Sequence, residues 1–166
     1  MASTYLALGS NLGIRVGYLR GAVRSLPGPL RCSRVYETDP VQAPAGSRPF
    51  LNAVVEIDFS ADTGALLGLV NRLESQANRI RTQVNGPRTL DVDVIYVEGM
   101  VTSNSEMTVP HPRCSERAFV IAPLMDLEPQ LARRLSPEMA ADIQQAFDKG
   151  LSEVYQGVRI YGGLLC

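Results

Sequence analysis

Asn85-Gly86-Pro87-Arg88-Thr89-Leu90-Asp91-Val92-Asp93-Val94-Ile95-Tyr96-Val97 is a Gly-Pro turn that runs straight into a β-branched segment broken by two carboxylates. In a strand, Leu90, Val92 and Val94 point toward a core while Asp91 and Asp93 share the opposite face. Residues two apart on a strand are separated by roughly 6 to 7 Å. Two such carboxylates can bracket a hard divalent cation and leave positions open for phosphate oxygens, the usual way Mg²⁺ is held. Arg88 adds a planar cation suited to phosphate. Aspartates on an exposed strand face are more often simply solvated, and Arg88 reads equally well as an ion-pair partner of Asp91. Aspartate is, however, a poor strand former, so two of them inside an apolar run cost stability that a bound cation would offset.

Upstream of this segment, Thr4 to Leu8 reads as a first strand ended by the turn-forming cluster Gly9-Ser10-Asn11-Leu12-Gly13. Leu19, Ala22, Val23 and Leu26 recur at helical spacing until Pro27-Gly28-Pro29 stops the helix. A second strand fits Leu30 to Tyr36, and a proline-rich loop follows from Glu37 to Pro49. From Phe50 to Phe59 the residues alternate, with Leu51, Ala53, Val55 and Ile57 on one face and Phe50, Asn52, Val54 and Glu56 on the other. Ser60 or Asp62 can cap the next helix, whose buried stripe is Leu66, Val70, Leu73 and Ala77, with Asn71 and Glu74 a turn apart beside it. Arg79 and Arg81 then lead into the short loop before Gly86. They read as charge complements to a helix C-terminus, or as two more cations aimed at the carboxylates.

Downstream, Thr108-Val109-Pro110-His111-Pro112-Arg113 carries the only histidine, and its prolines hold the imidazole in a rigid loop. Ser115 opens a segment with Arg117, Phe119, Val120 and Leu124. Ser136-Pro137-Glu138 starts a helix that runs to about Lys149. A last strand fits Val158 to Tyr161 in a tail, residues 151–166, to which no chemistry is assigned. The order β-α-β-β-α-β predicts an α+β fold: a ferredoxin-like α/β sandwich, mainly antiparallel, with helices packed on its faces. The face opposite the two central helices is expected to be open and to carry Asn52, Asp91 and Asp93.

A chain of 166 residues is expected to form a single domain over 1–166. A net charge of −1 and the absence of a basic run argue against a nucleic-acid partner. No apolar stretch reaches the roughly 20 residues of a membrane span, and the start lacks a signal-peptide pattern. These features predict a soluble cytoplasmic protein. Cys32, Cys114 and Cys166 are odd in number and scattered, so all three are expected to be reduced. Lys149 is the only lysine, which excludes a P-loop and leaves any phosphate clamp to arginine.

The motifs Ala7-Leu8-Gly9-Ser10-Asn11-Leu12-Gly13, Phe50-Leu51-Asn52-Ala53, Gly86-Pro87-Arg88-Thr89-Leu90-Asp91-Val92-Asp93 and Val109-Pro110-His111-Pro112 resemble, in order and spacing, those of the hydroxymethyl-dihydropterin pyrophosphokinases of folate biosynthesis. The resemblance implies transfer of the terminal pyrophosphate of ATP to the hydroxymethyl oxygen of 6-hydroxymethyl-7,8-dihydropterin, with release of AMP. It implies that Asp91 and Asp93 hold two Mg²⁺ ions and that Arg79 and Arg88 act with them in catalysis. Contacts to ATP fall on Asn71, Glu74, Arg79, Arg81, Arg88, Val94, Thr108, His111 and Arg117. The pterin contacts fall on Thr38, Val41, Phe50, Asn52, Asp91 and Phe119, with Phe50 and Phe119 sandwiching the ring. ATP and the pterin are then the small-molecule partners of a monomer.

The chain departs from the family pattern before Gly86, where a Trp and a Lys are common. It contains no Trp, has Thr82 near the Lys position, and places Asn85 directly before the glycine. Loop closure over ATP excludes water and completes such sites. The alternative expectation is therefore a catalytically impaired relative that binds pterin or nucleotide.

Overall fold

The computed structural model describes residues 2–40, 43–59, 62–79 and 86–166, apart from the side chains of residues 29 and 30. Along the chain run β1 (Ser3–Ser10), α1 (Arg15–Ser25), β2 (Pro29–Cys32), β3 (Arg34–Thr38), β4 (Phe50–Asp58), α2 (Thr63–Gln76) and β5 (Asp91–Val97). A small pair, β6 (Thr102–Ser103) and β7 (Thr108–Val109), precedes α3 (Ala118–Leu127), α4 (Pro129–Leu135), α5 (Pro137–Asp148), β8 (Glu153–Tyr155) and β9 (Val158–Leu164).

β1 lies between β4 and β5 and pairs antiparallel with both. The sheet order β5-β1-β4-β3 is the one expected for a ferredoxin-like sandwich, and β9 and β8 extend it beyond β3. The expected strand from Leu30 to Tyr36 is two strands. Ser33 breaks it, accepting the Val54 N–H on its hydroxyl at 2.9 Å while its own N–H bonds the Val54 carbonyl at 2.9 Å. The last strand runs on to Leu164, and β8 turns back along it.

Alternation along the strands divides the core in two. Leu6, Leu8, Leu51, Val55, Ile57, Val92 and Val94 face α1 and α2, meeting Leu19, Leu66, Leu69 and Leu73. Val70, expected in the buried stripe of α2, is only partly buried, and Leu69 takes the central place. Asp62 caps that helix, accepting the Ala65 N–H at 2.8 Å. Ser60, the other candidate cap, lies outside the described residues.

The opposite face is not open. Tyr5, Tyr36, Val54 and Ile95 pack there against Val120, Ile121, Leu124, Leu131 and Ile143 of α3, α4 and α5. The sequence Ala-Phe-Val-Ile-Ala-Pro-Leu-Met of α3 is apolar on every side, with no stripe to reveal a helix, because seven of its ten residues are buried. The end of this face near Asn52 and the two aspartates borders a cavity, which the α3 N-terminus also lines.

The expectation of three reduced cysteines is also overturned. Cys32 and Cys166 form a disulfide with Cα atoms 5.6 Å apart, and Cys114 alone is a buried free thiol. The Leu165 N–H bonds the Ser33 carbonyl at 3.0 Å, which seats the tail beside β2. A separation of 134 residues hides this proximity from any local spacing rule.

Candidate active site

Gly9 on β1 is the registered partner of Asn52 on β4 and of Asp91 on β5, so the three residues form one row across the sheet. Two strand spacings put about 10 Å between the outer two backbones. A Cβ on Gly9 would stand 3.2 Å from Asn52 Oδ1 and 3.9 Å from Asp91 Cβ, filling the floor of this trough. The trough is a cavity of about 310 Å³ bordered by Phe50, Asn52, Arg88, Asp91, Arg117 and Phe119. A second cavity, of about 360 Å³, is lined by Val70, Val94, Asn104, Met107, Thr108 and His111. Asp93 lines both.

The alternation of β5 does what its sequence requires. Val92 and Val94 are buried, while Asp91 and Asp93 are half-buried on the other face. Each carboxylate is held by arginine. Arg79 Nη1 lies 2.7 Å from Asp91 Oδ1, Arg88 Nη2 lies 3.2 Å from Asp91 Oδ2, and Arg117 Nη1 lies 3.0 Å from Asp93 Oδ2. Glu74 is buried on α2, where it pairs with Arg79 and accepts the Val92 N–H at 3.1 Å. Among the described residues β5 is a sheet edge, so this bond satisfies a backbone donor that has no strand neighbour there.

Arg88 is anchored from the backbone. Its N–H donates to Asn11 Oδ1 at 2.8 Å, and its carbonyl accepts from the Asn11 N–H at 3.2 Å. The guanidinium then lies over the Phe50 ring, 5.1 Å from its centroid, and its Nε is buried without a hydrogen-bond partner among the described residues. Buried donors are ordinarily matched, so this one marks an incomplete hydrogen-bond set beside the cavity that Arg88 lines. In the sequence Asn11 stands out only as part of a turn-forming cluster and of the Ala7–Gly13 motif that carries the family resemblance. Its anchoring role follows from a contact 77 residues away in sequence.

A bulge fixes His111. The β1 register passes from Tyr5↔Tyr96 to Leu6↔Val94, leaving Ile95 unpaired, and the Ile95 carbonyl takes the His111 N–H at 2.9 Å. Nδ1 accepts the Arg113 N–H at 3.2 Å, so Nε2 carries the proton of the neutral ring and faces Asp93 at 3.9 Å. Burial is the main cause that pushes the His111 pKa below its ordinary value. Asp93 opposes that fall, and Arg117 and Arg113 add to it.

At the other end of the trough, Asn52 is buried and donates from Nδ2 to Thr38 Oγ1 at 2.7 Å. Phe119 carries Arg117 over its ring at 5.6 Å. The residues assigned to pterin that are described, Thr38, Phe50, Asn52, Asp91 and Phe119, therefore all line one cavity. Of those assigned to ATP, Val94, Thr108 and His111 line the second cavity, and Arg88 and Arg117 line the first. Arg79 and Glu74 stand behind Asp91, and Asn71 is exposed on α2 and borders neither cavity. Val41 and Arg81 lie outside the described residues, as do Thr82 and Asn85.

The donor set of Asp91 and Asp93 is all oxygen and half-exposed, so it suits a hard cation such as Mg²⁺. The arginines around it supply fixed positive charge for phosphate oxygens.

Known proteins resemble this chain in sequence and in fold. The model of the 7,8-dihydro-6-hydroxymethylpterin-pyrophosphokinase family matches residues 5–129. The 2-amino-4-hydroxy-6-hydroxymethyldihydropteridine pyrophosphokinase of Bacillus subtilis is 40% identical over 134 residues, covering 78% of this chain and 80% of that protein. The protein of the same name from Methylorubrum extorquens is 38% identical over 136 residues, covering 79% and 85%. Folic acid synthesis protein fol1 of Schizosaccharomyces pombe is 33% identical over 162 residues, which are 95% of this chain and 21% of that protein. Among solved structures, Plasmodium falciparum HPPK-DHPS with pteroate superposes with a TM-score of 0.64 at 12% identity, over 98% of this chain and 49% of that one. At that identity the likeness speaks for the fold alone, and this chain spans about half the length of the solved chain.

Proposed function

Because this chain belongs to the 7,8-dihydro-6-hydroxymethylpterin-pyrophosphokinase family, we propose that it transfers the terminal pyrophosphate of ATP to the hydroxymethyl group of 6-hydroxymethyl-7,8-dihydropterin. The hydroxymethyl oxygen attacks the β-phosphorus, the bond between the α,β-bridging oxygen and that phosphorus breaks, and AMP leaves while the hydroxyl proton is lost. The products are AMP and the pterin diphosphate.

One observation carries the reading: Asp93 is a wall common to both cavities. A pterin in the first and a nucleotide in the second would bring hydroxymethyl and phosphates together over Asp91 and Asp93. Phe50 and Phe119 sandwich the ring, and Asn52 and Thr38 bond its polar edge. Val94 and Thr108 border the nucleoside, and His111 donates from Nε2 to a phosphate. Arg79, Arg88 and Arg117 release their hold on the carboxylates and take up phosphate oxygens, so positive charge is in place where the transition state needs it. Asp91 and Asp93 would hold two Mg²⁺ ions, which when bound neutralise phosphate charge and align attacking and leaving oxygens.

No described side chain pairs a nucleophile with a base over Asp91, so orientation and electrostatics are the means available. The reading extends to a monomer in which residues 1–166 form one pyrophosphokinase domain. ATP and the pterin as substrates support a cytoplasmic setting, a compartment in which the Cys32–Cys166 pair would ordinarily be held as two thiols. Among the described residues no helix is long and apolar enough to cross a membrane.

Titration calorimetry with a non-hydrolysable ATP analogue tests the metal assignment. Binding that needs Mg²⁺ in the wild type, and loses that need in Asp91→Asn/Asp93→Asn, is the expected outcome. An unaltered Mg²⁺ requirement in the variant would remove these carboxylates from the metal role.

A further inference from the structure

We propose that the β8–β9 hairpin forms a specificity wall of the pterin pocket, with Tyr155 and Gln156 contacting the ring edge that points away from the phosphates. The proposal rests on the functional reading above. It concerns residues beyond 129, where the family match ends.

The lining of the first cavity crosses the whole sheet. It begins with the carboxylates on β5, passes Gly9 on β1, Asn52 on β4 and Thr38 on β3, and ends at Val158 on β9 and Tyr155 on β8. The hydroxymethyl group of the substrate must lie at the β5 end, so its amino-pyrimidinone edge points toward β3 and the hairpin. That edge carries amide and amino groups that both donate and accept hydrogen bonds. Asn52 and Thr38 have spent part of their capacity on each other, at 2.7 Å. Gln156, exposed at the hairpin turn, offers a donor and an acceptor together. Half-buried Tyr155 offers an aromatic surface and a hydroxyl.

A hairpin at the sheet margin would be a poor wall if it were loose. Here it is tied down at several points. Val158 is 1% exposed and pairs with Thr38 on one side and Tyr155 on the other. The Asp39 N–H donates to the Gly157 carbonyl at 3.2 Å, and the Arg159 guanidinium spans Asp39 at 3.0 Å and Glu37 at 2.8 Å. Gly157 has φ +73°, and a Cβ there would meet Asp39 Oδ2 at 3.3 Å, so this turn needs glycine. The far end of β9 leads to the disulfide with Cys32. A wall fixed before the substrate arrives spends little binding energy on its own ordering.

Steady-state kinetics, with the pterin and ATP varied separately, test this. Gln156→Ala and Tyr155→Ala should each raise the KM for pterin about three- to tenfold and leave the KM for ATP unchanged. Tyr155→Phe should restore most of the pterin affinity lost in Tyr155→Ala. Melting temperatures establish that the variants are folded, and Gln156, being exposed, tolerates truncation. An unchanged pterin KM in both folded alanine variants would overturn the proposal, as would equal rises in both KM values, the mark of a general scaffold. Absence of turnover in the wild type would count against the functional reading instead. In that case fluorescence titration of the same variants with 6-hydroxymethylpterin still decides the hairpin's role, weaker binding supporting it and equal binding overturning it.

Discussion

Asn52 and Asp91 stand opposite each other across Gly9, each in register with it on a neighbouring strand. The absent side chain between them is the space that the ring and its hydroxymethyl arm would occupy. Gly9→Ala would press a methyl 3.2 Å from Asn52 Oδ1 and disturb its bond to Thr38. The KM for pterin should rise by at least about tenfold. Stability should fall by about 1 to 3 kcal/mol, the usual cost of adding a methyl where the nearest neighbour is 3.2 Å away. Kinetics and thermal melts of one variant check both.

Arg79 joins Asp91 to Glu74, and Glu74 is also the acceptor for the edge N–H of Val92. Arg79→Ala should therefore do two kinds of damage. A buried ion pair broken on one side costs about 3 kcal/mol of stability. Turnover should drop about 10²- to 10³-fold, the usual cost of removing a fixed charge from a transition state. Arg79→Lys should recover much of the stability and less of the turnover, because an ammonium keeps the charge but lacks the planar donor set that suits phosphate oxygens. Equal recovery of both would argue that the arginine is structural.

Most of the candidate site was legible because it lies on strands with clean alternation. Asp91, Asp93, Asn52 and Phe50 fall on one face simply because the side-chain period is two, and the order of elements was enough to place β5 beside β1. What was hidden depends on distant contacts or on uniform apolarity. The helix α3 shows no stripe, and α4 is only seven residues long. The Asn11–Arg88 bonds, the Ile95 bulge that fixes His111, and the disulfide each join segments whose proximity only the fold creates. Asn71, assigned to ATP by resemblance alone, is exposed on α2.

Glu37 makes the acid limb of stability predictable. Burial would raise its pKa, but hydrogen bonds from Arg159 and Arg15 outweigh it and hold the carboxyl below its ordinary value of 4.5. A depressed folded-state pKa means that the unfolded chain binds the proton more readily. The stabilising contribution is thus fully present above about pH 4.5 and is lost as pH falls through the lower folded-state value. Thermal melts from pH 7 to pH 3 should show Glu37→Gln less stable than the wild type at neutral pH, with the two converging in acid. A gap that stayed constant would exclude this origin.

Cys32 and Cys166 close a loop spanning 134 residues. Loop closure of that length constrains the unfolded chain, so Cys166→Ser should lower stability by about 2 to 5 kcal/mol. A dithiol reductant should lower the wild type to the same level and leave the variant unchanged. Denaturant titrations with and without reductant make the comparison, and an effect of reductant on the variant would point to Cys114 instead.

The central claim is the transfer itself. Mass-resolved analysis of a mixture of the protein, ATP, Mg²⁺ and 6-hydroxymethyl-7,8-dihydropterin, beside the Asp91→Ala/Asp93→Ala variant, tests it most directly. Equal amounts of AMP and pterin diphosphate from the wild type, and neither from the folded variant, is the result this account requires. Saturable pterin binding with no AMP would contradict it, and would leave a binding protein whose altered loop before Gly86 no longer supports the reaction.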